Sequence, residues 1–355
     1  MKNRILCLID ALGPGGAERQ MTGLASMLKR KGYEIKIVYF ESKDFFVHQL
    51  LNNGILVKYI DSSKGKLRLL KDIRWEVKSF SPEIVISYLQ SSSIMACLLK
   101  LSGLKYKLIV SERNTNTCKS MRDIFRFNLF RVADYVVPNS YSQQTFINDH
   151  FPFLKDKIRV IVNFVDTEQF APVEKKRKNL ILVVATIWPS KNTIGFIKAL
   201  KILKDNGFDF YVKWFGKISD HNDYLHNCET LINELKLQDY IELLDKTQNI
   251  AEEYRKADYF CLPSFYEGTP NAICEAMASG LPIICSNVCD NSKYVESGEN
   301  GFLFDPKDPK DIAIALEKML TLEDITYQLF KKESRKKAVE DLSMNKFVNA
   351  YLDLM

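Results

Sequence analysis

Short apolar runs recur along the whole chain and alternate with longer segments in which apolar residues return every three or four positions. In the first half the runs are residues 5–9, 35–40, 84–88, 108–110, 135–138 and 160–162; in the second half they are 180–185, 210–215, 241–244, 259–262, 282–285 and 301–304. Runs that are apolar on both alternating sets of positions predict strands covered on both faces. With helical patterns between them, they predict parallel sheets with crossover helices in each half. The polar stretch 171–179, APVEKKRKN, interrupts this rhythm and is the expected hinge. The predicted organisation is therefore an α/β domain over 1–170, a second α/β domain over 171–340, and a terminal helix over 341–355. Met344, Phe347, Tyr351 and Leu354 have the spacing to bury one face of that helix.

A length of 355 residues suits two domains of ordinary size, and 46% hydrophobic with 26% charged residues suits two packed cores. The five apolar residues before Asp10 are too few for a signal-peptide core, and no segment approaches the eighteen or so apolar residues of a membrane span. The eight cysteines are scattered without a C-x-x-C pair, as expected in a reducing cytoplasm. Cys285 and Cys289 are the closest pair, but no second pair or neighbouring His completes a metal set, and His48, His150, His221 and His226 are expected at the surface. The net charge of +6 is uneven: residues 1–170 carry 26 Lys and Arg against 16 Asp and Glu. The basic half predicts an anionic partner. Its charges are dispersed and no nucleic-acid motif accompanies them, which points to a phosphate-bearing acceptor or an anionic membrane surface.

Doubly wound sheets bind ligands beyond the carboxyl ends of their strands, so the loops after the runs carry the chemistry. The first such loop is Gly13-Pro14-Gly15-Gly16, followed by a helical pattern at Met21, Leu24 and Leu28. Adjacent glycines there either let the backbone approach a phosphate or form a tight structural turn. The most informative segment is residues 262–284, LPSFYEGTPNAICEAMASGLPII. A strand ends at Leu262, Pro270 reads as a first-turn proline, and residues 271–277 read as a helix. The amides of Thr269, Asn271 and Ala272 would then form a diphosphate cradle at the positive end of the helix dipole. Glu267 precedes that helix and Glu275 lies within it, beside the apolar Ala276, Met277 and Ala278, so Glu275 is expected to be buried. No Asp-x-Asp pair occurs in the sequence.

These segments resemble the family 4 glycosyltransferases of the GT-B fold. The resemblance rests on GGAER at 15–19, ADYVVPNS at 133–140, VNFVDTEQFAP at 162–172, SKN at 190–192, KADYFCLPS at 256–264, the Glu267 and Glu275 pair, and ENGFLF at 299–304. It implies two Rossmann-like domains facing across a cleft, with the terminal helix crossing back to the first. It also implies a retaining, metal-independent hexosyl- or N-acetylhexosaminyl-type transfer without a cofactor. The donor, a UDP- or GDP-linked sugar, binds the second domain. The acceptor, a glycan or polyprenyl-diphosphate-linked glycan of bacterial surface polysaccharide synthesis, binds mainly the first, at the inner face of the cytoplasmic membrane. In this reading Gly15 and Gly16 approach the donor, Lys191 neutralises its diphosphate, Glu275 holds the ribose hydroxyls, and Glu267 contacts the transferring sugar and steadies its developing positive charge.

Two departures from the family pattern stand out. Where the family has a diphosphate-binding Arg after the first strand of the second domain, this chain has Thr186; Lys293 is the candidate substitute, with Arg19 and Lys217 as others. Where several relatives have a His after the run 108–110, this chain has Glu112, Arg113 and Asn114, candidates to touch sugar or acceptor or else an exposed ion pair of a turn. The missing Arg is also what a non-catalytic nucleotide-sugar-binding subunit of the same fold would show. After this loop, Lys119, Met121, Arg122, Ile124, Phe125, Arg126, Leu129 and Phe130 form a basic amphipathic pattern, suited to a membrane interface or to an ordinary surface helix. Residues 64–80 offer a similar basic face, with Leu67, Leu70, Ile73 and Val77 expected in the core.

Overall fold

The computed structural model describes residues 3–113, 116, 118–217 and 223–355. The chain divides into two compact units, one of Met1–Phe164 with Met344–Met355 and one of Val165–Ser343.

The first unit is built on six parallel strands: β1 (Arg4–Ile9), β2 (Glu34–Tyr39), β3 (Leu56–Tyr59), β4 (Ile84–Tyr88), β5 (Lys107–Glu112) and β6 (Tyr135–Pro138), in the order β3-β2-β1-β4-β5-β6. Alternate side chains of β1 feed two different cores. Ile5, Cys7 and Ile9 meet Met21, Leu24 and Leu28 of the helix Gly16–Arg30 and Phe347, Val348 and Tyr351 of the helix Met344–Leu352. Leu6 and Leu8 instead join the core of Leu69, Ile73 and Val77, from the helix Lys66–Phe80, and Phe127. Both faces are thus covered, as an all-parallel sheet requires.

The second unit repeats the plan with β7 (Leu180–Val184), β8 (Tyr211–Lys217), β9 (Ile241–Asp245), β10 (Tyr259–Leu262), β11 (Ile283–Ser286) and β12 (Gly301–Phe304), in the order β12-β11-β10-β7-β8-β9. Numbered within its own unit, this is the same 3-2-1-4-5-6 order as the first sheet, the doubly wound Rossmann arrangement. Ile181 and Val183 of β7 pack with Phe196 and Leu200 of the helix Thr193–Asp205 and with Ile312 and Leu316 of the helix Pro309–Leu320.

The structure corrects the sequence reading at several points. Residues 160–162 form no strand: Ile158 makes a single bridge to Val136, and the Ile161 amide donates to the Pro138 carbonyl. The sixth strand is instead β3, an edge strand whose side chains are mostly exposed and which therefore lacks a buried apolar run. The chain crosses between units at 164/165 and 343/344, where Val165 pairs with Ser343 and its amide donates to the Leu342 carbonyl. Residues 171–179 belong wholly to the second unit. Buried Asp258 receives the Lys175 ammonium at 2.6 Å and the amides of Lys178 and Leu180 at 2.7 and 3.0 Å. Leu67 is 87% exposed, because the buried stripe of its helix runs instead through Leu69, Ile73, Val77 and Phe80.

The terminal helix is locked into the first unit by a buried polar knot. The Arg113 guanidinium donates to the hydroxyls of Tyr88 at 2.6 Å and Tyr351 at 2.8 Å and to Asn163 Oδ1 at 2.7 Å, with the two hydroxyls 2.9 Å apart. Tyr351→Ala removes a fully buried ring and one acceptor of this knot, and is expected to destabilise the first unit by about 3–5 kcal/mol. Tyr351→Phe keeps the ring and is expected to cost about 1–2 kcal/mol. Urea unfolding of the two variants checks both values; equal costs would mean that the ring packing contributes nothing.

Candidate functional site

In each sheet the strand order reverses once, between β1 and β4 and between β7 and β10, and the loops after those strands start side by side. In the second unit these loops are residues 185–192 and 263–270. The first is pressed against β8: the amides of Ala185 and Ile187 donate to the Phe215 and Gly216 carbonyls, and the Trp214 indole donates to the Ala185 carbonyl at 2.7 Å. Gly216 has φ +137°, and a Cβ there would lie 2.1 Å from the Ala185 oxygen, so only glycine admits this approach. The loop then makes a short turn over Pro189–Lys191. Asn192, in the left-handed region, closes it through a 2.7 Å bond to the Pro306 carbonyl.

The second loop is joined to the first by the Phe265 amide, which donates to the Ser190 carbonyl at 2.9 Å. Beyond this link the Lys191 ammonium and the Glu267 carboxylate form an ion pair at 2.5 Å, with side chains 24% and 12% exposed. The helix Asn271–Ala278 follows. Pro270 is its N-cap, one position earlier than a first-turn proline, and has no side chain to cap the leading amides. Thr269 is buried just before it. Glu275 is 7% exposed, set among Ala276, Met277 and Ala278, and accepts a hydrogen bond at Oε2 from the Tyr254 hydroxyl at 3.1 Å.

One short region of the second unit thus brings together Lys191, Glu267, Thr269, Pro270, Asn271, Ala272 and Glu275. Sequence reasoning missed Tyr254, and also the exposed aromatics Trp188, Phe265 and Tyr266 on the same two loops. An aromatic residue within a loop was the only available signal for the latter. Two buried groups near these strand ends, Ser264 Oγ and Asn291 Oδ1, have no hydrogen-bond partner among the described residues. Thr186, where the family has Arg, is half-buried. Lys293 is exposed on the short helix Asn291–Tyr294, and Lys217 is paired with Glu229 at 2.8 Å.

In the first unit the loop after β1 leads into the helix Gly16–Arg30, capped by Gly15 without a side-chain bond. The Glu18 carboxylate folds back over Gly15, where a Cβ would lie 2.2 Å from Oε2. Burial raises the pKa of this carboxyl above the usual range. Glu112 and Arg113 do not form an exposed turn. Glu112 ends β5 in a buried ion pair with Arg126, which also holds Asp123 at 2.8 Å, and Arg113 is the centre of the knot on the terminal helix. Asn114 lies outside the described residues, as does His221; the other three histidines are exposed. Arg126, expected on the basic face of its helix, is therefore an internal residue, while Met121 and Phe125 of the helix Met121–Leu129 are 80% and 59% exposed.

All eight cysteines are free, and burial pushes the thiols of Cys7, Cys97 and Cys228 up to about 12. Among the described residues, no group of three or more His, Cys, Asp or Glu side chains is arranged to hold a metal ion. None of the described helices is long and apolar enough to cross a membrane.

The chain matches the family model Glycosyltransferase Family 4 over residues 14–169 and the model Glycosyl transferases group 1 over residues 164–337. It is 32% identical over 214 residues, 56% of this chain and 54% of the other, to the UDP-Gal:alpha-D-GlcNAc-diphosphoundecaprenol alpha-1,3-galactosyltransferase of Escherichia coli. It is 25% identical to a Campylobacter jejuni alpha-1,4-N-acetyl-D-galactosaminyltransferase named for a diNAcBac-PP-undecaprenol-linked acceptor, with 99% of this chain and 98% of that one covered. Its fold matches that of Anabaena HepE, solved in complex with UDP and glucose, with a TM-score of 0.86 and 17% identity over 99% of this chain and 98% of that one. With the two models together spanning residues 14–337 and both sheets in the arrangement of the GT-B fold, the chain belongs to the family 4 glycosyltransferases.

Proposed function

We propose that this glycosyltransferase moves a hexosyl or N-acetylhexosaminyl group, with retention of anomeric configuration and without a metal cofactor, from a UDP- or GDP-linked sugar to a polyprenyl-diphosphate-linked glycan in bacterial surface polysaccharide synthesis. The observation that carries the reading is the Lys191–Glu267 pair standing beside the start of the helix Asn271–Ala278, with Glu275 buried one turn further along. Relatives named for diphosphoundecaprenol-linked acceptors, and a structural neighbour solved with UDP and glucose, support the choice of acceptor and donor.

In this reading the donor diphosphate lies at the start of the helix Asn271–Ala278, where the Asn271 and Ala272 amides and the helix dipole favour negative charge. Lys191 exchanges Glu267 for a phosphate oxygen, and Glu267 turns to the sugar as positive charge grows on it. The leaving phosphate accepts the acceptor's proton on the face from which it departs. Gly15 and Gly16 serve the donor, and Lys293 supplies the charge that Thr186 does not. The lack of an Asp-x-Asp pair supports catalysis without a protein-held metal. Met121 and Phe125, flanked by the exposed Lys119 and Arg122, suit an anionic membrane interface.

Two expectations follow. Lys191→Met and Glu267→Gln are each expected to lower kcat by about a hundredfold or more, with EDTA leaving the wild-type rate unchanged. Transfer from UDP- and GDP-sugars to a polyprenyl-diphosphate glycan, scored for the anomer formed, measures both; full activity of Glu267→Gln would sink its role, and loss of activity in EDTA would sink metal independence. The double variant Met121→Glu with Phe125→Glu is expected to lose co-sedimentation with phosphatidylglycerol vesicles while keeping its melting temperature. Unchanged vesicle binding would remove this helix from the membrane contact.

A further inference from the structure

The geometry points to Tyr254 as a positioning residue for nucleotide recognition, one that no motif of the family resemblance includes. We infer that its hydroxyl holds the Glu275 carboxylate in the orientation that receives a ribose diol; the inference rests on the proposed role of Glu275.

Tyr254 sits near the end of the helix Ile250–Lys256 and is fully buried. Its ring is clamped edge-on by Phe170, with centroids 5.5 Å apart, and lies beside Phe260 of β10 at 5.8 Å. The hydroxyl therefore cannot swing away. It stands 3.1 Å from Glu275 Oε2 and 3.2 Å from the Ala272 carbonyl oxygen. The hydroxyl has one proton, and the carboxylate is the stronger acceptor, so the hydrogen bond goes to Glu275. Both groups it approaches belong to the helix Asn271–Ala278, whose first turn is the proposed diphosphate cradle. One buried hydroxyl thus spans from the start of that helix to the carboxylate on its next turn.

A carboxylate offers about four lone-pair directions, so one bond from Tyr254 fixes the plane of the group without exhausting its capacity to accept. Fixing that plane matters because a vicinal diol presents its two hydroxyls at a set spacing and angle. A side chain free to rotate would lose entropy on meeting them, whereas one already held by a buried partner does not.

The test is calorimetric titration of the full chain with UDP or GDP, whichever binds, and with its 2′,3′-dideoxy counterpart. Tyr254→Phe keeps the ring and its packing, and an unchanged thermal melt verifies that it folds. It is expected to weaken the ribonucleotide about tenfold and leave the dideoxynucleotide unchanged. In a Glu275→Gln background the same substitution is expected to have no further effect on either ligand. Equal weakening of both nucleotides by Tyr254→Phe, or no weakening of either, overturns the inference if Glu275→Gln still abolishes the preference for ribose. If Glu275→Gln keeps that preference, the ribose role of Glu275 fails, and the role of Tyr254 fails with it.

Discussion

The site depends on one constraint: β7 and β10 are hydrogen-bonded neighbours in a parallel sheet, yet their chains leave in opposite directions along it. Parallel strands need long crossovers, and right-handed crossovers that go opposite ways from adjacent strands must pass on opposite faces of the sheet. The loops after β7 and β10 are thus forced to start side by side and then part. That is why Lys191 and Glu267, far apart in sequence, come within 2.5 Å. The Phe265 to Ser190 bond closes the junction, and the buried apolar core around Ile181, Val183, Phe196 and Leu200 packs beneath it.

Two kinds of charged contact differ in their surroundings. Arg113, the Glu112–Arg126 pair and Asp258 are enclosed, each with several partners, and each ties a strand end to a distant segment. Taking charges out of water is costly, and in such a network losing one partner strands the others. The Lys191–Glu267 pair is of the other kind. Both side chains keep contact with solvent and both lie on loops, so either can take a new partner at modest cost. Enclosed charge networks tie segments of each unit together, and the solvent-facing pair is the one that the proposed function sets against the donor diphosphate.

The strands were legible because burial on both faces demands mainly apolar residues on both alternating sets of positions, which is how β1, β4, β7, β10 and β11 all read. The edge strand β3 was not legible, because an exposed edge makes no such demand, and residues 160–162 have apolar character without a place in the ladder. The buried position of Glu275 was legible from its Ala and Met neighbours. The partners of Glu112 and Arg113 were not, since these residues lie next to a loop that reads as exposed.

By itself the sequence determined two doubly wound sheets, the terminal helix, and the residue types gathered on the loops after β7 and β10. Hydrophobic periodicity and local turn chemistry act over a few residues and need no fold to be read. Only the tertiary structure decided which charges pair inside and which pair in contact with solvent. It alone brought Tyr254 to Glu275 and made Arg113 the anchor of the terminal helix, because contacts between residues far apart in sequence follow from the strand order and the packing of both faces.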